Sequence, residues 1–119
     1  MRTYQLHILL KEPSTIQIGK LGIFTFPKGK YIYTGSARKN IESRIKRHRL
    51  NSESNSSNKK LHWHIDYFLN NLNTKITNIR LFDVEECHIN QQTKGKIIIP
   101  EFGSSDCKDS CRSHLKFVS

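Results

Sequence analysis

The chain has 119 residues, so it supports one compact domain with a modest core and excludes two independently stable domains. It carries 20 lysines and arginines against 10 aspartates and glutamates, and the net charge of +10 favours a polyanionic partner, although solubility alone also produces basic surfaces. We find no apolar signal segment and no stretch near the ~20 apolar residues of a transmembrane helix, so we expect a cytoplasmic protein that does not engage a membrane.

Three strands are predicted where apolar and polar side chains alternate, at residues 3–10, 30–34 and 74–82. The first strand has Tyr4 at the edge of its apolar face, and the period of two puts Tyr31 and Tyr33 on a common face of the second. The alternation slips between Ile76 and Ile79, which predicts a β-bulge in the third strand. Shorter extended segments are expected at residues 16–18, 22–26, 97–99 and 115–118.

Helical periodicity is present at residues 41–50 and 61–71, and more weakly at 84–92. In the first helix Arg44 and His48 are four residues apart, so they lie one above the other on the same face. The second helix carries an apolar stripe with Trp63 and Tyr67 beside it and is predicted to be mostly a packing element. The polar, low-complexity stretch 51–60 between them is predicted to be a mobile loop.

These elements predict an α/β fold of the α+β type, with a small central antiparallel sheet of about three strands flanked by helices. The sequence contains no internal repeat. We therefore expect a single domain over residues 1–119, in which residues 96–119 form a C-terminal extension.

Several short motifs follow one another in order along these elements. They are YQL at 4–6, YTG at 33–35, RIKRH at 44–48, KLHWHIDYFL at 60–69 and FGSSDC at 102–107. In order and spacing they resemble the GIY-YIG nuclease superfamily, in particular its small stand-alone Uri-type branch, over nearly the whole chain. Two departures are RTY at 2–4 in place of Gly-Ile-Tyr and YTG in place of Tyr-Ile-Gly, and both keep the tyrosine.

The resemblance implies a divalent-metal-dependent endonuclease that hydrolyses phosphodiester bonds in DNA. It implies that Tyr4 is the general base or the phenol that positions water, that Tyr33 lies beside it, and that Arg44 clamps the phosphate. His48 would assist proton transfer, and Glu86 would hold a magnesium or manganese ion. Because a phenol has an unperturbed pKa near ~10, Tyr4 acts as a base only if nearby cations favour the phenolate.

Each of these residues also has an ordinary structural explanation. Tyrosines are common in strands, and an arginine four residues before a histidine is often part of a solvated helix face. The neighbouring Glu85 could be the metal ligand in place of Glu86. A non-catalytic nucleic-acid-binding module on the same fold is therefore the alternative to an enzyme.

Basic and polar residues around the motifs are expected to bind the backbone of DNA that is single-stranded, branched or damaged. They are Lys30, Ser36, Arg38, Lys39, Arg47, Lys59, Lys60 and His62. No recognition helix or second DNA-reading domain is evident, so we expect specificity to come from the structure of the DNA or from a protein partner.

Two further groups contain residue types that bind metals. In HWHID, His62 and His64 lie about 200° apart on a helix and cannot chelate one ion, so the segment is predicted to be structural or DNA-facing. Three cysteines in a chain without a secretion signal argue against a disulfide framework, which favours reduced thiols or metal ligands. A structural zinc site would take the four ligands Cys87, Cys107, Cys111 and His114 if the chain brings them together.

Overall fold

A computed structural model describes residues 2–37, 39–53, 63–103 and 113–119. In this part of the chain the strands are β1 (Thr3–Leu10), β2 (Ser14–Ile18), β3 (Gly22–Phe26), β4 (Gly29–Ser36), β5 (Thr74–Phe82) and β6 (Leu115–Phe117). The helices are α1 (Ile41–Glu53), α2 (His64–Leu69) and α3 (Glu86–Gln92). The α+β fold predicted from the sequence is confirmed.

The main sheet is antiparallel, has the strand order β5-β1-β4-β6, and is accompanied by a separate β2–β3 hairpin. The three predicted strands correspond to β1, β4 and β5, and β6 is a fourth strand that the sequence indicated only as a short extended segment. The predicted bulge is confirmed, because His7 pairs with Asn78 while Ile8 pairs with Ile76, which leaves Thr77 unpaired in the ladder. The Thr77 hydroxyl instead donates to the His7 carbonyl at 3.1 Å.

One face of the sheet carries the apolar core. From β1 this face contributes Tyr4, Leu6, Ile8 and Leu10, none more than 2% exposed. Helices α1 and α2 and the β2–β3 hairpin cover it, and Tyr31 packs there against Phe26, Phe68 and Phe117. Burial of each large apolar side chain stabilises the fold by about 1.5–3 kcal/mol, so this face holds the domain together.

The opposite face is polar and is covered by α3. Gln5 donates to Thr34 at 3.2 Å and to Thr93 at 2.7 Å. Lys116 is only 9% exposed and donates from Nζ to the carbonyls of Asn90 and Thr93 near the end of α3. The C-terminal segment is therefore built into both faces of the domain.

Three element boundaries differ from the sequence-based prediction. Helix α1 extends to Glu53, so the first three residues of the predicted loop 51–60 are helical, while 54–60 lie outside the described residues. Helix α2 begins at His64, and Trp63 before it has extended backbone, with φ −90° and ψ 154°. Residues 97–99 form no strand, and Lys96 makes an isolated bridge to Phe117 instead. No helix in the described ranges is long and apolar enough to cross a membrane.

Candidate active site

The two motif tyrosines meet because of the register between β1 and β4. Tyr4 is paired with Gly35 and Leu6 with Tyr33, so the tyrosines are diagonal neighbours whose ring centroids lie 6.5 Å apart. A Cβ at Gly35 would lie 2.5 Å from Tyr4 Oη and 3.0 Å from Tyr33 Cε2. A residue without a side chain is thus needed after Tyr33-Thr34, because the Tyr4 ring crosses β4 at this point.

Helix α1 brings a histidine to the same place. His48 is 1% exposed, and its Nε2 lies 2.7 Å from Tyr4 Oη. Its ring centroid is 5.4 Å from that of Tyr4 and 6.4 Å from that of Tyr33. Ile41 and Ile45 are only partly buried, so the polar His48 is more buried than the two isoleucines of this helix.

Arg44 lies one turn before His48 and completes a group that we call the Tyr–His–Arg cluster, consisting of Tyr4, Tyr33, Arg44 and His48. Its Nη1 donates to the carbonyl of Ser36 at the end of β4, at 3.1 Å. The guanidinium charge opposes the rise in the pKa of both tyrosines that burial causes. The predicted convergence of two tyrosines and a helical arginine is thus present in the structure.

Burial determines the protonation states in this cluster. Burial raises the pKa of Tyr4 well above its usual value, and Arg44 only partly offsets this effect. Burial also lowers the pKa of His48 to about 4, although the Asp66 charge opposes that shift. At neutral pH, Tyr4 is therefore a neutral phenol that shares a hydrogen bond with Nε2 of the neutral His48 imidazole. Burial opposes the phenolate that a general base would need, and the nearby Arg44 offsets this effect only in part.

An ion pair with a buried carboxylate fixes α1 to α2. Arg47 Nη2 lies 2.6 Å from Asp66 Oδ2, and the same oxygen accepts the backbone N–H of Trp63 at 2.9 Å. Asp66 is fully buried while the Arg47 side chain is partly exposed, so removal of Arg47 would leave an uncompensated buried charge. The sequence assigned Arg47 to DNA and predicted the HWHID segment to be structural or DNA-facing. A carboxylate beside core-facing Ile65 was the signal that a cation had to be near.

Glu86 reaches the same end of the sheet from the first turn of α3. Ser36 Oγ donates to its Oε1 at 3.0 Å, and its Oε2 lies 3.0 Å from His114 Nδ1. The Glu86 charge raises the pKa of both cluster tyrosines, so the carboxylate is close to them. Glu85 has a side chain that is 69% exposed and lies 3.9 Å from Arg2. Of the two adjacent glutamates, Glu86 is therefore the one beside the cluster.

The surroundings of Glu86 fit a magnesium or manganese ion. Its side chain is 26% exposed, and one carboxylate completed by water and phosphate oxygens is a common arrangement for magnesium. Ser36 and His114 hold the carboxylate in place, as neighbours of metal ligands usually do. Within the described ranges no group of three or more histidine, cysteine, aspartate or glutamate side chains is gathered for a metal.

The predicted zinc ligand set is altered at Cys87. Cys87 is disulfide-bonded, and a cysteine in that form has no thiolate to bind a metal. His114 places Nδ1 against Glu86 and the Thr34 carbonyl, each at 3.0 Å. The expectation of reduced cysteines was wrong for Cys87, because an odd number of cysteines does not prevent two of them from pairing. Cys107 and Cys111 lie outside the described residues.

The residues predicted to bind DNA are spread over different environments. Lys30 and Lys39 are exposed, whereas Ser36 contacts Glu86 and Arg47 contacts Asp66. The remaining four, Arg38, Lys59, Lys60 and His62, lie outside the described residues. His64, which follows in the HWHID motif, accepts the backbone N–H of Gly103 at Nδ1, at 2.9 Å, so it secures the C-terminal segment.

The fold and the site define a small α+β domain with phenol, imidazole, guanidinium and carboxylate groups at one end of its sheet. The family model described as domain of unknown function DUF123 matches residues 3–119, and the chain belongs to this family. No curated protein and no solved structure matches the chain.

Proposed function

We propose that this protein is a divalent-metal-dependent endonuclease of the GIY-YIG type that hydrolyses phosphodiester bonds in structurally distinct DNA. One observation carries the proposal, namely that β1, β4 and α1 bring the Tyr–His–Arg cluster together where α3 presents Glu86. These residues are the ones that the resemblance to that superfamily assigns to catalysis. The net charge of +10 suits a polyanionic substrate.

Arg44 is suited to bind the scissile phosphate. A guanidinium presents five N–H donors in a fixed plane, and Ser36 occupies one of those on Arg44. The negative charge on the phosphoryl oxygens is redistributed as the bond breaks, and a fixed cation stabilises that state without reorganising. Loss of one such donor or cation typically slows catalysis by about 10²- to 10³-fold.

The neutral Tyr4–His48 pair provides a route for the proton of the attacking water. In this proposal His48 carries its proton on Nδ1, so the phenol donates to Nε2 and its oxygen lone pairs can accept a hydrogen bond from water. As the water oxygen attacks phosphorus, its proton moves to Tyr4 Oη while the phenol proton moves to His48. The Asp66 charge favours the resulting imidazolium, although burial and the charges of Arg47 and Arg44 hold the pKa of His48 at about 4. Tyr4 thus positions water and relays a proton without becoming a free phenolate.

Glu86 would hold the metal ion, which supplies Lewis-acid stabilisation of the oxygen that leaves. The hydrogen bonds from Ser36 and His114 restrain both carboxylate oxygens. A partly exposed carboxylate restrained in this way can bind a hydrated cation together with the phosphate of a substrate.

A non-catalytic nucleic-acid-binding module is the second candidate, and the burial of the phenols favours it. Tyr4 is 2% exposed and Tyr33 is 7% exposed, so little of either ring is open to a substrate. In that case Arg44 and the surface lysines would bind phosphates, and the tyrosines would only pack the sheet.

A cleavage assay with paired glutamate variants tests the enzyme proposal. Purified protein is incubated with single-stranded, flapped, branched and lesion-bearing DNA, with and without magnesium, beside Glu86→Gln and Glu85→Gln. We expect magnesium-dependent cutting that Glu86→Gln abolishes and Glu85→Gln preserves, because only Glu86 faces the cluster. Binding without cutting on every substrate would support the second candidate. Cutting by Glu86→Gln at the normal rate would contradict the assignment of the metal ligand.

A further inference from the structure

The only tryptophan of the chain lies beside the candidate active site. Trp63 precedes α2 and is 38% exposed, although it had been predicted to pack within that helix. The Arg44 guanidinium lies over its ring, with Cζ 5.6 Å from the ring centroid. The same arginine belongs to the Tyr–His–Arg cluster, so the indole and the proposed phosphate site share one side chain.

We propose that Trp63 is a stacking platform for an unpaired base of single-stranded DNA, next to the phosphate that Arg44 binds. The proposal rests on the proposed function and narrows its substrate to DNA with an unpaired nucleotide at the site. A base stacks on an aromatic ring through its flat face, and in a duplex neighbouring base pairs cover that face. An exposed indole beside a phosphate-binding cation therefore selects unpaired bases.

The backbone of Trp63 is held firmly, as a platform requires. Its N–H donates to Asp66 Oδ2 at 2.9 Å, and Arg47 holds the same oxygen at 2.6 Å. The ring thus extends from a fixed point between α1 and α2, so little conformational entropy is lost when a base stacks on it. Arg44 adds a cation–π contact that keeps the indole oriented.

Binding experiments in EDTA test the platform without any cleavage. The probes are a single-stranded oligonucleotide, the same oligonucleotide with abasic positions, and a duplex of equal length, each titrated by anisotropy and by tryptophan fluorescence. We expect the base-containing single strand to quench Trp63 and to bind more tightly than the other two. Trp63→Ala should weaken its binding by about 5- to 100-fold, in line with the measured effect of losing one stacked base.

Two variants serve as controls. Trp63→Phe keeps an aromatic ring and should retain most of the affinity, and Leu72→Ala removes an apolar side chain that is 75% exposed elsewhere. Neither control should alter the preference for bases over abasic sites. If Trp63→Ala does not fold, the comparison of base-containing and abasic strands with wild type and Trp63→Phe still decides the question.

The proposal is overturned if wild type binds base-containing and abasic strands equally, or if Trp63→Ala weakens binding to both by the same factor. Equal quenching by the duplex would also overturn it. These results are distinct from failure of the enzyme proposal, because no cleavage is measured. A protein that stacks a base on Trp63 and cuts nothing would contradict only the proposed enzyme.

Discussion

Replacement of Gly35 by alanine should disturb the candidate active site directly. The new Cβ would lie 2.5 Å from Tyr4 Oη and 2.6 Å from Tyr4 Cζ. Carbon atoms in contact are separated by about 3.5 Å, so the phenol must retreat by about 1 Å. The ring is buried and its hydroxyl is bound to His48 at 2.7 Å, so it cannot move without losing that hydrogen bond.

We expect Gly35→Ala to lower the free energy of unfolding by about 1–3 kcal/mol, as overpacking of a core usually does. For a domain of this size that lowers Tm by roughly 4–12 °C in thermal denaturation. Misplacement of the phenol by 1 Å should also slow DNA cleavage by about 10²-fold.

The Tyr4→Leu variant shows whether contact with the Tyr4 ring causes the loss of stability in Gly35→Ala. Tyr4→Leu lacks the two atoms that the new Cβ would meet most closely and keeps only the contact with Tyr33 Cε2 at 3.0 Å, so Gly35→Ala added to it should cost less than about half as much as in wild type. An equal loss of stability in both backgrounds would refute the explanation by steric contact with Tyr4. A Gly35→Ala protein with the stability and cleavage rate of wild type would also refute this explanation.

Three further variants test other contacts. Asp66→Asn should lower the free energy of unfolding in urea by about 1–3 kcal/mol, because the buried carboxylate accepts from both Arg47 and the Trp63 N–H, and a loss below about 0.5 kcal/mol would contradict this. The unfolded chain binds a proton at His48 near pH 6.5, whereas the folded chain binds it only near pH 4. The free energy of unfolding should therefore fall by about 3 kcal/mol as the pH is lowered from 6.5 to 4, and His48→Gln should remove that part of the pH dependence. His114→Asn should raise the magnesium concentration needed for half-maximal cleavage by about 10-fold, because Glu86 loses a restraining contact. An unchanged magnesium concentration for half-maximal cleavage would contradict the role of His114 in restraining Glu86.

The regular elements of the fold were predictable because local patterns determine them. The alternation in residues 3–10 and 74–82 identified β1 and β5, and the slip in the second located the bulge. Strand β6 has three residues, which is too few for a period to be recognised. Its place in the sheet depends on pairing with β4, a contact between residues far apart in the sequence.

The sequence predicted which residues form the candidate site better than it predicted their protonation states and contacts. The motifs identified Tyr4, Arg44 and His48, and the structure brings them together. Their protonation depends on how deeply they are buried, which no local pattern reveals, and burial favours the neutral phenol of Tyr4. His114 was identified for zinc because of its spacing from cysteines, whereas the return of the chain through β6 places it on Glu86.

The most direct test of the account compares cutting and binding by wild type and Tyr4→Phe. The substitution removes only the hydroxyl that contacts His48 and leaves the buried ring in place. Cleavage is measured in single turnover with magnesium, and DNA binding is measured in EDTA. We predict cleavage about 10²- to 10⁴-fold slower than wild type with unchanged binding, because a positioned proton transfer is lost. Equal cleavage rates for the two proteins would contradict a catalytic role for Tyr4 and, with it, the proposed mechanism.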